Sequence, residues 1–323
     1  MDVVQLSLTN LRCGYGSFTI PSYSINQTII KPTLVAVLGK NGSGKSTLLR
    51  TIAGLQKPLE GNISIQNQNI KKLKVKQRAC FVSYMPSFNP KIHFITTEEY
   101  VKLGWYPHSN KALEHEKMEQ VLTDLDLIEK RNHFLNQLSD GEMQRAAIAR
   151  NLIQDSPIMI FDEANSHLDP KHQQKIFEIF YRLVNEQQKI VLFSTHMAKE
   201  SLHYAHKIWL LAEDQLISKI PEQIIIDKDL ENNQLSFNLP QFKLVQTKHK
   251  IHIRLIGDGI PFQYTRYAFL RYGIETVCNK QCAFSVIIQQ NPNARFIWLV
   301  KKEGIVIKEF LDLSELIEFL LIN

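Results

Sequence analysis

Residues 33–47, Thr-Leu-Val-Ala-Val-Leu-Gly-Lys-Asn-Gly-Ser-Gly-Lys-Ser-Thr, decide the fold of this chain. The uninterrupted apolar run over residues 34–38 is typical of a buried parallel strand. Glycines at positions 39, 42 and 44 follow it, and glycine tolerates the positive φ angles that a tight loop needs. The order strand, glycine loop, helix predicts an α/β fold built on a parallel sheet.

The glycine loop has the spacing GxxxxGKS over residues 39–46. In the context of a strand and a helix start, successive amide N–H groups can surround the β- and γ-phosphates of a nucleotide. Lys45 would add a positive charge, and the Ser46 hydroxyl would be a ligand for Mg²⁺. The predicted cofactors are ATP and Mg²⁺, and the predicted binding residues are Gly39, Asn41, Gly42, Ser43, Gly44, Lys45, Ser46 and Thr47.

A second apolar run, residues 158–161, ends in two adjacent carboxylates. Parallel strands carry their functional groups at the carboxyl edge of the sheet, where these two residues would lie. Asp162 would hold Mg²⁺ through water, and Glu163 would orient and polarise the attacking water. An ordinary strand end has the same pattern, but the upstream phosphate loop favours the Walker B interpretation.

Residues 138–145, Leu-Ser-Asp-Gly-Glu-Met-Gln-Arg, resemble the LSGGQ signature of ABC ATPases. Asp140 and Glu142 replace the commoner glycine and glutamine, and Ser139 with Glu142 also fits a helix capping box. The resemblance implies that Ser139 and Gly141 bind the γ-phosphate of a nucleotide held by the opposite subunit. We therefore expect a homodimer that encloses two ATP molecules.

The remaining marks of the family follow in the expected order along the chain. Tyr15 would stack on adenine, and Asp169, which ends the D-loop at residues 166–169, would contribute to nucleotide binding. His196 ends the segment Ser-Thr-His, where the family contacts the γ-phosphate. The resemblance thus implies that Lys45, Glu163 and His196 are the catalytic residues.

The chain departs from the family pattern at Ser87, which stands where the family has its Q-loop glutamine. The family's amide touches Mg²⁺ and the attacking water, while its loop contacts the membrane partner. A serine side chain is too short to copy that contact. Ser87 remains an open candidate for the Mg²⁺ site.

Residues 99–108, Glu-Tyr-Val-Lys-Leu-Gly-Trp-Tyr-Pro-His, resemble a signature of ATPases that serve iron-siderophore, haem and cobalamin importers. Trp105 replaces the usual arginine. An ordinary surface helix ended by Gly104 and Pro107 would have a similar sequence pattern. The resemblance implies integral membrane permease subunits as partners, a periplasmic or surface substrate-binding protein as an indirect partner, and no nucleic acid. It also implies a peripheral position on the cytoplasmic side of the cell membrane. The alternatives are another ABC transporter, including an exporter, and a soluble ABC module without transport.

Composition is that of a globular chain. Its 323 residues are 44% hydrophobic and 22% charged, and no apolar run approaches the roughly 20 residues that cross a bilayer. The net charge of +6 is dispersed except for a basic run over residues 71–78. The four cysteines lack paired CxxC spacing, which argues against a structural metal site.

The sequence predicts three segments. Residues 1–226 would form the ABC ATPase domain, with an N-terminal antiparallel β portion, a parallel-sheet core and a helical subdomain at about residues 90–150. Residues 227–241, rich in Asn, Gln, Asp and Pro, would be a linker. Residues 242–323 would form a small α+β domain, with strands at 250–256, 284–288 and 294–300 and helices at 262–272 and 313–322. That domain would regulate the ATPase, stabilise the dimer or serve only as a structural appendage.

Overall fold

The computed structural model describes residues 4–16, 18–19, 22–87, 92–108, 114–196, 198–213, 215–235, 251–277, 282–291 and 295–322. Its internal contacts divide the chain into two compact units. The first comprises residues 1–196 and 209–217, and the second comprises residues 197–208 and 218–323. The domain boundaries predicted at residues 226 and 241 stay a prediction, and residues 236–241 of the predicted linker lie outside the described residues.

A six-stranded sheet forms the core, in the order β12-β11-β5-β10-β9-β8. Its strands are β5 (Thr33–Gly39), β8 (Val82–Met85), β9 (Ile158–Asp162), β10 (Ile190–Ser194), β11 (Lys207–Leu211) and β12 (Leu216–Lys219). The pairs β5 with β10, β10 with β9 and β9 with β8 are parallel, as expected from the apolar runs. Every residue of β5, β9 and β10 is buried, so both faces of this sheet are covered.

An antiparallel sheet of order β4-β1-β6-β7 accounts for the predicted N-terminal β portion. Its strands are β1 (Leu6–Arg12), β4 (Ile25–Ile29), β6 (Glu60–Ile65) and β7 (Gln68–Asn69). A two-stranded hairpin, β2 (Gly14–Tyr15) with β3 (Phe18–Thr19), lies between β1 and β4 in the chain and places Tyr15 opposite Phe18.

The helices of the first unit are α1 (Lys45–Ile52), α2 (Val75–Phe81), α3 (Thr97–Lys102), α4 (Glu114–Asp124), α5 (Asp140–Ile153) and α6 (Pro170–Asn185). Short 3₁₀ turns occur at Ile70–Lys72, Leu103–Trp105, Ile128–Lys130 and Leu135–Gln137. Helices α3 and α4 pack on α5 and form the predicted helical subdomain. Phe180 of α6 packs against Phe161 of β9 and Phe193 of β10, with ring centroids 4.5 and 5.6 Å apart. These aromatic contacts fix α6 on the strands that carry the site.

The second unit contains the predicted α+β domain. Its helices are α7 (Ala198–Tyr204), α8 (Pro221–Ile226), α9 (Asp229–Asn232), α10 (Gly259–Arg271) and α11 (Leu313–Ile322). A five-stranded sheet of order β14-β13-β15-β16-β17 comprises β13 (Ile251–Ile256), β14 (Ile274–Thr276), β15 (Phe284–Gln290), β16 (Phe296–Lys302) and β17 (Ile305–Phe310). Trp298 is fully buried and donates its indole N–H to Thr265 Oγ1 of α10 at 2.8 Å, which joins the sheet to that helix.

Arg271 at the end of α10 connects α7, α8 and α10 of the second unit. Its Nε donates to Glu222 Oε1 at 2.9 Å, and its remaining nitrogens donate to the carbonyl oxygens of Leu202 and Ala205. The Glu222 side chain is fully buried. A buried carboxylate is costly without its cation, so Arg271 is required to stabilise the buried Glu222 carboxylate.

We expect Arg271→Met to destabilise the second unit by about 3–5 kcal/mol, since it leaves Glu222 as an unpaired buried charge. Hydrogen–deuterium exchange over α8 and α10 measures the effect. Arg254→Met, at an exposed arginine of β13, is the matched control. An equal loss of exchange protection in the two variants would show that the ion pair between Arg271 and Glu222 does not specifically stabilise the second unit.

In the part of the chain that the structure describes, no helix has both the length and the apolar character needed to cross a membrane.

Candidate active site

The glycine loop between β5 and α1 has the backbone conformation that its sequence predicts. Gly42 and Gly44 adopt φ angles of 79° and 96°, in the region that side chains disfavour. A Cβ placed on Gly39 would lie 2.5 Å from Ser43 Oγ, so only glycine fits there. The loop is therefore shaped by residues that leave its amide groups open to an anion.

Lys45 lies beneath this loop, buried at the first position of α1. Its Nζ donates to the carbonyl oxygens of Gly39 and Lys40 at 2.8 and 3.1 Å. Burial lowers the pKa of Lys45, and the carboxylates of Glu163 and Asp162 partly offset that decrease. The ammonium group thus lies at the meeting point of the phosphate loop and the paired carboxylates.

Asp162 is buried at the carboxyl end of β9, and hydroxyl groups from both neighbouring strands bind it. Ser194 of β10, its direct partner in register, donates to Asp162 Oδ1 at 2.5 Å. Tyr84 of β8 donates to Asp162 Oδ2 at 3.1 Å. Burial, and then the charge of Asp162, raise the pKa of Tyr84, which keeps its hydroxyl protonated as a donor.

Glu163 and His196 form the exposed side of the site. His196 Nε2 lies 2.7 Å from Glu163 Oε1, so the two predicted catalytic residues are in direct contact. Glu163 has a φ of 55°, a left-handed conformation that strains a residue with a side chain and occurs at functional sites. Its N–H donates to Ser194 Oγ at 2.9 Å, which ties it to the Asp162 cluster.

The carbonyl oxygen of Glu163 accepts two hydrogen bonds from side chains, besides one from the Ser166 N–H at 3.2 Å. The Ser166 hydroxyl donates to it at 2.6 Å, and the buried Gln144 amide of α5 donates at 2.9 Å. These contacts tie the strained peptide to the D-loop and to the signature helix. Sequence reasoning did not assign Gln144 a role, because an amide inside a helix gives no signal of its long-range partner.

The signature residues lie at the first turn of α5. The predicted capping box is present: Glu142 N–H donates to Ser139 Oγ at 3.3 Å, and Glu142 Oε2 accepts from Ser139 N–H at 2.8 Å. Burial raises the pKa of Glu142, but hydrogen bonds from Ser139 and Lys130 outweigh that effect and lower it. A Cβ on Gly141 would meet His167 O at 3.0 Å, so the signature turn lies against the D-loop.

Three other predicted residues are not joined to the Asp162 cluster by the contacts described above. Two of them are exposed, and the third caps a helix. Tyr15 is 53% exposed in its hairpin, which leaves its ring open. Asp169 caps α6, with Oδ1 accepting from His172 N–H at 2.9 Å. Ser87 is exposed just beyond β8. Their roles in nucleotide or metal binding stay predictions.

The site fits a magnesium nucleotide. Ser43 Oγ is buried beside the loop and has no hydrogen-bond partner within the described part of the chain, so a polar group of a ligand would satisfy it. Among the described residues, no group of three or more histidine, cysteine or acidic side chains is placed to hold a metal ion alone. Mg²⁺ commonly takes one or two protein ligands together with phosphates and water, as Ser46 and Asp162 would provide.

The segment that resembles an importer signature is fixed against the carboxyl end of α5. A side chain on Gly104 would collide with the Arg150 carbonyl, and His108 Nε2 lies 2.7 Å from the Gln154 carbonyl oxygen. The glycine and the histidine of this motif therefore have packing roles in the helical subdomain.

The fold and the site define a P-loop nucleotide hydrolase. Family models match residues 23–166 as "ABC transporter" and residues 249–321 as "Iron ABC transporter C-terminal domain". YusV of Bacillus subtilis, assigned as the ATP-binding protein of a siderophore transport system, is 30% identical over 243 residues, 74% of this chain and 88% of YusV. FpuD of Bacillus anthracis, a petrobactin import ATP-binding protein, is 30% identical over 229 residues, 69% of this chain and 84% of FpuD. The chain belongs to the ATP-binding proteins of ABC transporters.

Solved structures agree with this assignment. One is a dimeric ATP-binding cassette in a post-hydrolysis state, bound to ADP and Pi. It is 28% identical with a TM-score of 0.61, and the match covers 67% of this chain and 98% of that chain. An ABC transporter assigned to the metal-chelate type, in an inward-facing conformation, is 25% identical with a TM-score of 0.60, and the match covers 72% of this chain and 89% of that one. The chain is an ATP hydrolase whose cofactors are ATP and Mg²⁺.

We expect Glu163→Gln to reduce ATP hydrolysis by about 10²- to 10⁴-fold, the usual contribution of a general base, while ATP binding persists. Single-turnover hydrolysis and equilibrium ATP binding measure the two effects separately. Glu129→Gln, at an exposed glutamate, is the control. Normal turnover by the Glu163 variant would remove this residue from the catalytic role.

Proposed function

We propose that this chain powers the import of a metal chelate of the iron-siderophore, haem or cobalamin type. The observation that carries the proposal is the match of residues 249–321 to the iron ABC transporter C-terminal domain, in a chain whose cassette also matches proteins of siderophore transport. The segment at residues 99–108 supports the same transporter class through its resemblance to chelate importers.

The working form in this proposal is a homodimer that encloses two ATP molecules. In each half, the phosphate loop of one copy and the signature turn of the other, with Ser139 and Gly141, bind the same nucleotide. The capped first turn of α5, with its N–H groups at the helix start, supports this role because such an end attracts anions. The similar dimeric cassette bound to ADP and Pi supports it as well.

Hydrolysis in this site would begin at the Glu163 carboxylate, which accepts a hydrogen bond from the attacking water and polarises it. His196, in contact with Glu163, would hold that carboxylate and contact the γ-phosphate. Lys45 would bind the β- and γ-phosphates, while Ser46 and Asp162 would hold Mg²⁺. Bound Mg²⁺ neutralises charge that develops on the phosphates.

The proposal also assigns the partners and the location. Integral membrane permease subunits would carry the solute, and a periplasmic or surface substrate-binding protein would deliver it to them. The chain would then lie peripherally on the cytoplasmic side of the membrane. The similarity to import ATP-binding proteins and to the metal-chelate type transporter supports these assignments.

Uptake of a radiolabelled metal chelate tests the substrate class. Cells that lack this chain should lose uptake of one chelate class, and the intact chain and Glu129→Gln should restore it, whereas Glu163→Gln should not. Siderophore, haem and cobalamin are assayed side by side. Unchanged uptake of all three in the deleted cells would contradict the importer proposal and favour an exporter or a module without transport.

A further inference from the structure

Ser87 leaves the metal side of this site without the glutamine that related ATPases place there. It lies beyond the end of β8, with its side chain exposed. A serine side chain is shorter than a glutamine side chain, so Ser87 does not reproduce the reach of that amide. If metal binding is retained, another group would order this side of the site.

Tyr84, three positions before Ser87, is the group that extends into the site from β8. Its hydroxyl donates to Asp162 Oδ2 at 3.1 Å, while Ser194 donates to the other carboxylate oxygen at 2.5 Å. The carboxylate is thus held at both oxygens, from the strands on both sides of β9. Each oxygen keeps a lone pair that a metal-bound water can use.

We propose that Tyr84 is a positioning residue for Mg²⁺ binding, which fixes the orientation of the Asp162 carboxylate on the side of the site where Ser87 replaces the family's glutamine. Tyr84 acts through Asp162 and does not itself contact the reacting phosphate. Hydrogen bonds to a metal-binding carboxylate commonly set both its orientation and its affinity for the ion.

Ser83, which precedes Tyr84 in β8, provides a matched control for the loss of a hydroxyl group. Ser83 is also a buried hydroxyl residue of β8, but its Oγ has no hydrogen-bond partner among the described residues. Removal of the Ser83 hydroxyl therefore changes β8 without changing the Asp162 contacts. Tyr84→Phe keeps the aromatic ring and removes only the hydroxyl that donates to Asp162.

The test measures metal and nucleotide binding separately, in the full chain carrying Glu163→Gln to prevent turnover. Mn²⁺ replaces Mg²⁺, and its affinity in the presence of saturating ATP is measured by electron paramagnetic resonance. ATP affinity is measured in EDTA without any metal. The variants are Tyr84→Phe, Ser83→Ala, and Tyr84→Phe combined with Ser87→Gln.

Tyr84→Phe should weaken Mn²⁺ binding by about 10-fold, the usual effect of losing a hydrogen bond to a metal-binding carboxylate, and leave metal-free ATP affinity unchanged. Ser83→Ala should leave both affinities unchanged. The added glutamine should restore most of the Mn²⁺ affinity. Unchanged Mn²⁺ affinity in Tyr84→Phe, an equal loss in Ser83→Ala, or an equal loss of metal-free ATP affinity would overturn the proposal.

Discussion

The burial of the Asp162 carboxylate is the constraint on which the rest of the site depends. A buried charge is costly unless hydrogen bonds or a cation compensate it, and here hydroxyls from two neighbouring strands do so. Those donors reach Asp162 only because β8, β9 and β10 are parallel and in a fixed register. A shift of one residue in either pairing would direct Tyr84 or Ser194 to the opposite face of the sheet. Sheet register, held by the buried apolar strands, thus sets the chemistry of this edge.

The strained peptide at Glu163 extends this constraint to the signature helix. A left-handed conformation costs of the order of 1–3 kcal/mol for a residue with a side chain, so surrounding contacts must hold it. Ser194 binds its N–H, and Ser166 and Gln144 bind its carbonyl oxygen. Helix α5, the D-loop and the Glu163 peptide are therefore joined within one protomer. A displacement of α5 would directly change the hydrogen bond that Gln144 donates to the Glu163 carbonyl oxygen.

Most of the cassette could be predicted from the sequence because its signals are local. The apolar runs that form β5, β9 and β10 are uninterrupted, and each is followed by a motif, such as the glycine loop at residues 39–46. Strands β14 and β17 were not predicted, since Ile274–Thr276 is only three residues long and Ile305–Phe310 is exposed at five of six positions and does not alternate. The contacts of Tyr84 and Gln144 with Asp162 and Glu163 join residues that are 78 and 19 positions apart. Only the folded sheet brings such pairs together.

In the proposed dimer, the Asp162 edge and the phosphate loop bind a magnesium nucleotide between two copies of this chain. The most direct measurement is a crystal structure of Glu163→Gln with ATP and Mn²⁺, with the ion located by its anomalous scattering. The predicted result is a dimer in which the ion lies at Ser46 and Asp162, and each triphosphate contacts Lys45 of one copy and Ser139 of the other. An ion located away from Asp162, or a nucleotide bound outside the loop at residues 39–46, would contradict the account.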